Sequence, residues 1–275
     1  MGLLNRIWSF LDKGELIALV KPNPFGGLGN QLKPLVSALR FTDNIYATTN
    51  IFNVIFTKKF PVVDALKEEH RIFSDWRIEL KDSDPIGCNF GTVYLDCCSE
   101  AEQSRQLRSI DFEYFRIPEI LRTEIAHKFR SLEFSDVVNT CVSEFTKNWQ
   151  NDVIGVHVRS WTDDKQRHRE LFKIDNFFRE LDRRRSSMRI FLATDSTEVI
   201  SAFQKRYGNR VLCHPCGPSS SNLHVAENDT DKEVVRAFCD MICLSKTEIL
   251  LGTYLSTFTE CAWWFGHCRQ HVVVV

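Results

Sequence analysis

Six consecutive residues, Val153-Ile154-Gly155-Val156-His157-Val158, form a nearly continuous apolar run. A strand with one wet face alternates polar and apolar residues, whereas a strand covered on both faces does not. The segment therefore predicts a buried strand of a parallel sheet, and with it an α/β fold. The chain that follows agrees with this. A helix is expected over Ile174 to Arg185, a strand over Met188 to Thr194, and a helix over Glu198 to Tyr207 stopped by Gly208. Next come a strand at Val211 to Cys213, a Ser/Asn-rich loop from Gly217 to Thr230, and a helix from Asp231 to Leu244. A strand at Glu248 to Gly252, a short helix at Ser256 to Phe265 and a strand at Val272 to Val275 complete the pattern. Strand and helix alternate throughout, as in one Rossmann-like domain.

The first half opens with a strand at Leu16 to Val20 and a Gly-rich turn, Pro24-Phe25-Gly26-Gly27-Leu28-Gly29-Asn30. A helix over Gln31 to Phe41 follows, with Pro34 tolerated in its first turn. Ile45 to Ala47, Val54 to Phe56 and Thr92 to Leu95 read as strands. Pro118 to Phe134 and Ser135 to Trp149 read as helices, with apolar residues recurring every three or four positions. The natural boundary lies near Trp149 to Asp152. It divides the chain into residues 1–150 and residues 151–275, two α/β units with the first reduced.

Composition narrows the function. The chain has 275 residues, enough for a full core, and a formal net charge of −1, which argues against coating nucleic acid. No apolar run reaches the roughly 18 residues of a membrane-spanning helix. Residues 3–11 carry Leu3, Leu4, Ile7, Trp8 and Leu11 on one helical face. A helix docked on the domain is the first reading, and weak contact with a membrane surface is the second. This segment has neither a small-residue cleavage site nor a myristoylation pattern, so a cytoplasmic location is expected. Ten cysteines then read as free buried thiols in a reducing compartment. Cys213-His214-Pro215-Cys216 has C-x-x-C spacing but no second pair at zinc-finger distance, so the zinc signal is weak.

Ligands of open parallel sheets bind at the carboxyl ends of the strands. After the Val153 strand stand His157, Arg159, Ser160, Trp161, Thr162, Asp163 and Asp164. Thr194, Asp195 and Ser196 follow the Met188 strand. After the Glu248 strand come Gly252, Thr253 and then Ser256, Thr257, Phe258, Thr259 and Glu260. An arginine fork, hydroxyls and a helix N-terminus suit a phosphorylated ligand. The P-loop pattern is absent, and Gly27-Leu28-Gly29-Asn30 lacks the third glycine of a dinucleotide site, so an ATPase and an NAD enzyme are disfavoured. Each residue also has a bland reading: Arg159 pairing with Asp163, Asp195-Ser196 as a helix cap, Ser256 and Thr257 as caps, and the glycines as turn formers. Their joint occurrence at successive strand ends favours function.

At these residues the chain resembles a family. Gly26-Gly27-Leu28-Gly29-Asn30-Gln31 is similar to the amino-terminal G-G-L-G-N-Q loop of fucosyltransferases, and Val156-His157-Val158-Arg159 to their H-x-R motif. Ala193-Thr194-Asp195-Ser196 and Ser256-Thr257-Phe258-Thr259-Glu260 with Ala262-Trp263-Trp264 resemble their two later motifs, in the same order. The resemblance covers most of the chain and points to the superfamily of α1,2-, α1,6- and protein O-fucosyltransferases. It implies a GT-B-like pair of Rossmann-like domains, GDP-fucose as donor, a glycan hydroxyl as acceptor, and inverting transfer without metal or other cofactor. It implies that Arg159 neutralises the leaving diphosphate while His157 shapes the pocket, and that Asp195 and Ser196 meet the nucleoside. It implies further that Ser256, Thr257 and Phe258 close on phosphates and base, and that Gly27, Gly29 and Asn30 let the first-domain loop approach the pyrophosphate. Ser160-Trp161-Thr162-Asp163 departs from the R/G-x-D that follows H-x-R in many relatives, which bears on the donor sugar more than on the fold.

For the base that accepts the acceptor's proton, Asp163, Asp164 and Glu260 are the candidates. Asp82-Ser83-Asp84 matches D-x-D literally but sits in a polar turn and reads as surface. Two alternatives stand beside fucosyl transfer: the same scaffold with another donor such as UDP-xylose, and a non-catalytic module that binds glycan or nucleotide. An unrelated Rossmann-like phosphatase or methyltransferase fits less well, because the Gly26 loop paired with Arg159 and Ser256 suggests a two-domain cleft.

Overall fold

The computed structural model describes residues 18–20, 27–39, 43–63, 87–89, 92–94, 119–150, 152–160, 165, 168–169, 172–184, 187–214, 231–253 and 256–275. The first half contains β1 (Ala18–Val20), α1 (Leu28–Leu39), β2 (Ile45–Ala47), α2 (Ile51–Ile55), β3 (Gly87–Asn89), β4 (Thr92–Tyr94), α3 (Glu119–Arg130) and α4 (Asp136–Thr146). β1 and β2 pair in parallel, and β3 and β4 form an antiparallel pair. The second half contains β5 (Val153–Val158), α5 (Ile174–Asp182), β6 (Arg189–Thr194), α6 (Thr197–Tyr207) and β7 (Val211–Leu212). It continues through α7 (Asp231–Ser245), β8 (Ile249–Gly252), α8 (Thr257–Phe265) and β9 (His271–Val274).

Every residue of β5 is buried, as its unbroken apolar run requires. It lies at the centre of a five-stranded, wholly parallel sheet in the order β7-β6-β5-β8-β9. From β5 the chain winds outward through β6 and β7, then crosses back to β8 on the other side of β5. The winding therefore reverses between β5 and β8, and such reversal points open the crevice in which doubly wound sheets bind ligands.

Two elements differ from the sequence expectation. Val54 to Ile55 closes a short helix, α2, and only Phe56 makes a bridge, to Phe134. The β-branched run that suggests a strand is outweighed by burial of Phe52 and Ile55 on one side of a helical turn. Helix α1 begins at Leu28, not Gln31, so Gly29 and Asn30 belong to its first turn. Composition alone reads those residues as loop.

The core crosses the middle of the chain. Val20, Leu32, Phe52, Phe56 and Phe129 from the first half pack in one apolar cluster with Phe191, Phe238, Trp263, Trp264 and Phe265 from the second. Phe56 and Phe134 both meet Phe238 edge-on, with centroids 5.3 Å away, and Phe129 stacks on Trp264 at 6.1 Å. Helix α8 is apolar nearly all round, as a helix buried between layers must be, and α7 is buried along its second half. A second cluster, with Ile154, Val156, Phe177, Ile190 and Phe203, covers the other sheet face beneath α5 and α6.

Candidate active site

The candidate site is built on the carboxyl end of β5. His157 is buried, with Nδ1 2.7 Å from Thr259 Oγ1 and its ring stacked on Phe258 at 4.8 Å. Burial pushes its pKa down to about 4; the charge of Arg159 adds to this and that of Asp195 opposes it. The imidazole is thus neutral near pH 7.

Arg159 leaves the sheet immediately afterwards. Its Nη1 donates to Asp195 Oδ2 at 2.5 Å, and the Ser160 amide donates to Asp195 Oδ1 at 2.9 Å. Asp195 therefore spends both oxygens on orienting the β5 end. Thr253, after β8, completes the clip: its Oγ1 accepts from Arg159 N at 2.8 Å and donates to the His157 carbonyl at 3.0 Å. The guanidinium is held at the carboxyl ends of β5 and β6, about one-fifth exposed.

Two helix N-termini converge on the same place. A Cβ built on Gly29, in the first turn of α1, would lie 2.6 Å from the Thr257 carbonyl oxygen at the start of α8. Only glycine permits this approach. α8 is itself seated on the end of β8, where a Cβ at Gly252 would lie 2.2 Å from Thr259 Cγ2. Ser256 is the N-cap residue of α8, but its side chain makes no cap hydrogen bond. Ser196 behaves in the opposite way: its Oγ accepts from Val199 N at 3.3 Å and donates to Glu198 Oε2 at 2.7 Å, so it is an ordinary helix cap. The hydroxyl contact holds Glu198 below the usual carboxylate range.

Buried hydroxyls mark the same edge. Ser160 Oγ and Thr194 Oγ1, just past β5 and at the end of β6, are buried without a hydrogen-bond partner among the described residues. Buried polar atoms are nearly always satisfied, so this pair beside an arginine makes the sheet edge a candidate place for a polar ligand. Both residues are visible in the sequence as strand-end hydroxyls.

Glu260 has a different surrounding. Its Oε2 accepts from Lys33 Nζ at 2.6 Å, its Oε1 accepts from Trp264 Nε1 at 3.1 Å, and both charged side chains are almost wholly buried. The pair ties α1 to α8 across the two halves of the chain. Lys33 and Thr253 thus also shape the site; the sequence does not mark their roles, because their partners are 227 and 94–96 residues away. Gly27 lends its carbonyl to Asn30 N at 2.9 Å, at the entry to α1. Trp161, Thr162, Asp163 and Asp164 lie outside the described residues, as do Gly26, residues 3–11 and Asp82-Ser83-Asp84.

A cavity of about 1130 Å³ opens elsewhere, lined by Thr247, Glu248, Gln270 and His271 among others, at the amino edge of β8 and β9. It lies at the opposite edge of the sheet from Arg159. Among the described residues no group of three or more His, Cys, Asp or Glu side chains is arranged to hold a metal ion. No described helix is long and apolar enough to cross a membrane.

The chain matches no protein-family model, and no curated protein sequence matches it. Solved structures do match in fold. NodZ alpha-1,6-fucosyltransferase co-crystallised with GDP superposes with a TM-score of 0.51 at 15% identity, over 90% of this chain and 91% of that one. The same enzyme soaked with GDP-fucose gives 0.51 at 15%, over 91% and 92%. Fucosyltransferase NodZ from Bradyrhizobium gives 0.50 at 16%, over 90% and 92%. The chain has the α/β fold of these fucosyltransferases. At such identity the likeness is one of architecture.

Proposed function

We propose that this chain is a glycosyltransferase that moves fucose from GDP-fucose to a hydroxyl of a glycan, with inversion and without metal. The observation that carries the reading is Arg159, held by Asp195 and Thr253 at the carboxyl end of β5, with the Ser160 and Thr194 hydroxyls unpartnered among the described residues and the start of α8 packed on the neighbouring His157. That is a site for an anion bearing several oxygens, at the sheet edge where nucleotides bind. NodZ, similar in fold, was crystallised with GDP and soaked with GDP-fucose, which supports a guanine nucleotide as the donor carrier.

In this reading the diphosphate lies against Arg159 and the uncapped start of α8. Inverting transfer needs the acceptor oxygen in line behind the anomeric carbon, and charge compensation on the departing diphosphate. Arg159 and the α8 amides supply the compensation, and the neutral His157 ring with Phe258 forms a rigid wall. Gly29 lets α1 bring the first half of the chain to the pyrophosphate. Asp195 acts by orienting Arg159, and Ser196 by capping α6. Glu260 is assigned to the Lys33 ion pair, which leaves Asp163 or Asp164 to take the acceptor's proton.

Thermal-shift binding with GDP, UDP, GDP-fucose and UDP-xylose, without added metal, tests the reading. A ligand at 100 times its Kd stabilises by about 2.7 kcal/mol. A response to GDP and GDP-fucose alone is expected, with sugar transfer persisting in EDTA. A response to UDP alone overturns the donor; binding without turnover on any acceptor leaves a non-catalytic module; strict dependence on a divalent cation overturns the metal-free mechanism.

A further inference from the structure

A second chemical cluster sits at the edge strand, two positions from β5. His214 follows β7, and its Nδ1 lies 2.5 Å from Asp240 Oδ1 on α7. Its Nε2 lies 3.3 Å from Cys141 Sγ on α4. The imidazole stacks on Phe145 with ring centroids 4.5 Å apart, and Phe191 meets it edge-on. His214 and Asp240 are buried, while Cys141 is only half-buried. A carboxylate accepts from Nδ1–H, and in that tautomer the Nε2 lone pair faces the thiol. The three groups form one chain of contacts, nucleophile to base to orienting acid, which is the arrangement that activates a cysteine.

We propose that Cys141 is a thiol activated by His214 and Asp240, and that it is a site of covalent modification by small soft electrophiles, hydrogen peroxide among them. With peroxide, Cys141 Sγ attacks one oxygen as its proton passes to His214 Nε2. The S–O bond forms while the O–O bond breaks, and the departing hydroxide takes the proton from His214 and leaves as water. The sulfur is oxidised to a sulfenic acid and the peroxide is reduced to water. Nothing in this step depends on the sugar-transfer reading.

The neighbouring thiols sharpen the contrast. Burial pushes the thiols of Cys213, Cys239, Cys243, Cys261 and Cys268 up. Among the described cysteines, Cys141 alone is both half-buried and hydrogen-bonded to an imidazole. Cys213 and Cys268 share its exposure class and serve as internal controls.

The test treats the folded protein with one equivalent of iodoacetamide, then unfolds it and blocks the remaining thiols with an alkylating agent of different mass. Peptide mass mapping over time gives the rate at each cysteine. Cys141 is expected to react about tenfold or more faster than Cys213 and Cys268, up to the roughly 10²–10⁴-fold of full general-base assistance. His214→Gln, shown to be folded by circular dichroism, is expected to bring Cys141 down to their rate. Peroxide is expected to add one oxygen at Cys141 first. A Cys141 rate equal to those controls overturns the proposal, as does an unchanged rate in folded His214→Gln. Asp240→Asn provides the same test should His214→Gln not fold, and the wild-type comparison requires no variant.

Discussion

At the residue scale the site turns on one cation and the groups that hold it. Arg159→Ala is expected to lower kcat/KM by roughly 10²–10³, the effect of removing one charge-stabilising donor. Steady-state kinetics at unchanged circular dichroism measures it, and near-normal turnover removes Arg159 from the mechanism. His157 sets an acid limit on stability. In the unfolded chain it takes a proton near pH 6.5, in the folded chain only near 4. Between those values the unfolded chain holds one more proton, so its neutral burial stabilises fully above pH 6.5 and progressively less as pH falls towards 4. Each pH unit of that window is worth about 1.4 kcal/mol at most. Urea midpoints at pH 7 and pH 5 should converge in His157→Gln relative to wild type; equal slopes in both proteins contradict the assignment. Arg159 and His157 are both legible from sequence. Thr253 is legible only as one of several strand-end residues, because a threonine after a strand carries no mark that it will clip a neighbouring strand.

At the element scale the decisive contact is α1 against α8. Removing one partner of a buried ion pair costs about 3–5 kcal/mol, because the other charge stays buried and alone. Glu260→Ala is therefore expected to lose stability on that scale, and Lys33→Met/Glu260→Leu to recover part of it. Denaturant melts of the three proteins decide this. A stable Glu260→Ala that binds donor normally but does not turn over would return Glu260 to the role of base. Gly29→Ala places a methyl group 2.6 Å from the Thr257 carbonyl, and overpacking of this kind costs about 1–3 kcal/mol. The same variant should weaken donor binding, since it pushes the two helix N-termini apart; a titration with GDP measures it. The sequence marks Gly29 as special but not why, since the atom it must avoid lies 228 residues along the chain. Likewise Ser196 and Ser256 look alike before a helix, and only their side-chain hydrogen bonds separate the cap from the open N-terminus.

At the scale of the whole molecule, the apolar cluster joins Phe56 and Phe129 to Phe238 and Trp264 without a break at residue 150. The two halves are therefore expected to unfold together. Tryptophan fluorescence and far-ultraviolet circular dichroism should give coincident urea transitions. Two separated transitions would show that residues 1–150 and 151–275 are independent domains. Trp264→Ala should shift the single transition by about 3–5 kcal/mol.

What the sequence determined by itself is what short-range patterning can encode. The Val153–Val158 run dictates a buried central strand, and the alternation after it dictates a parallel sheet, because each element needs its own hydrophobic period. Strand-end chemistry follows from that, so Arg159, Asp195, Ser256 and the Gly29 turn could be named before any fold was seen. The tertiary structure decided their division of labour. Asp195 holds Arg159, Ser196 caps a helix, and Glu260 pairs with Lys33, because each is set by a partner distant in sequence. The same holds for Cys141, His214 and Asp240, three positions far apart in sequence that packing draws into one chain of contacts. Periodicity places residues on faces; only the packing of one face against another chooses their partners.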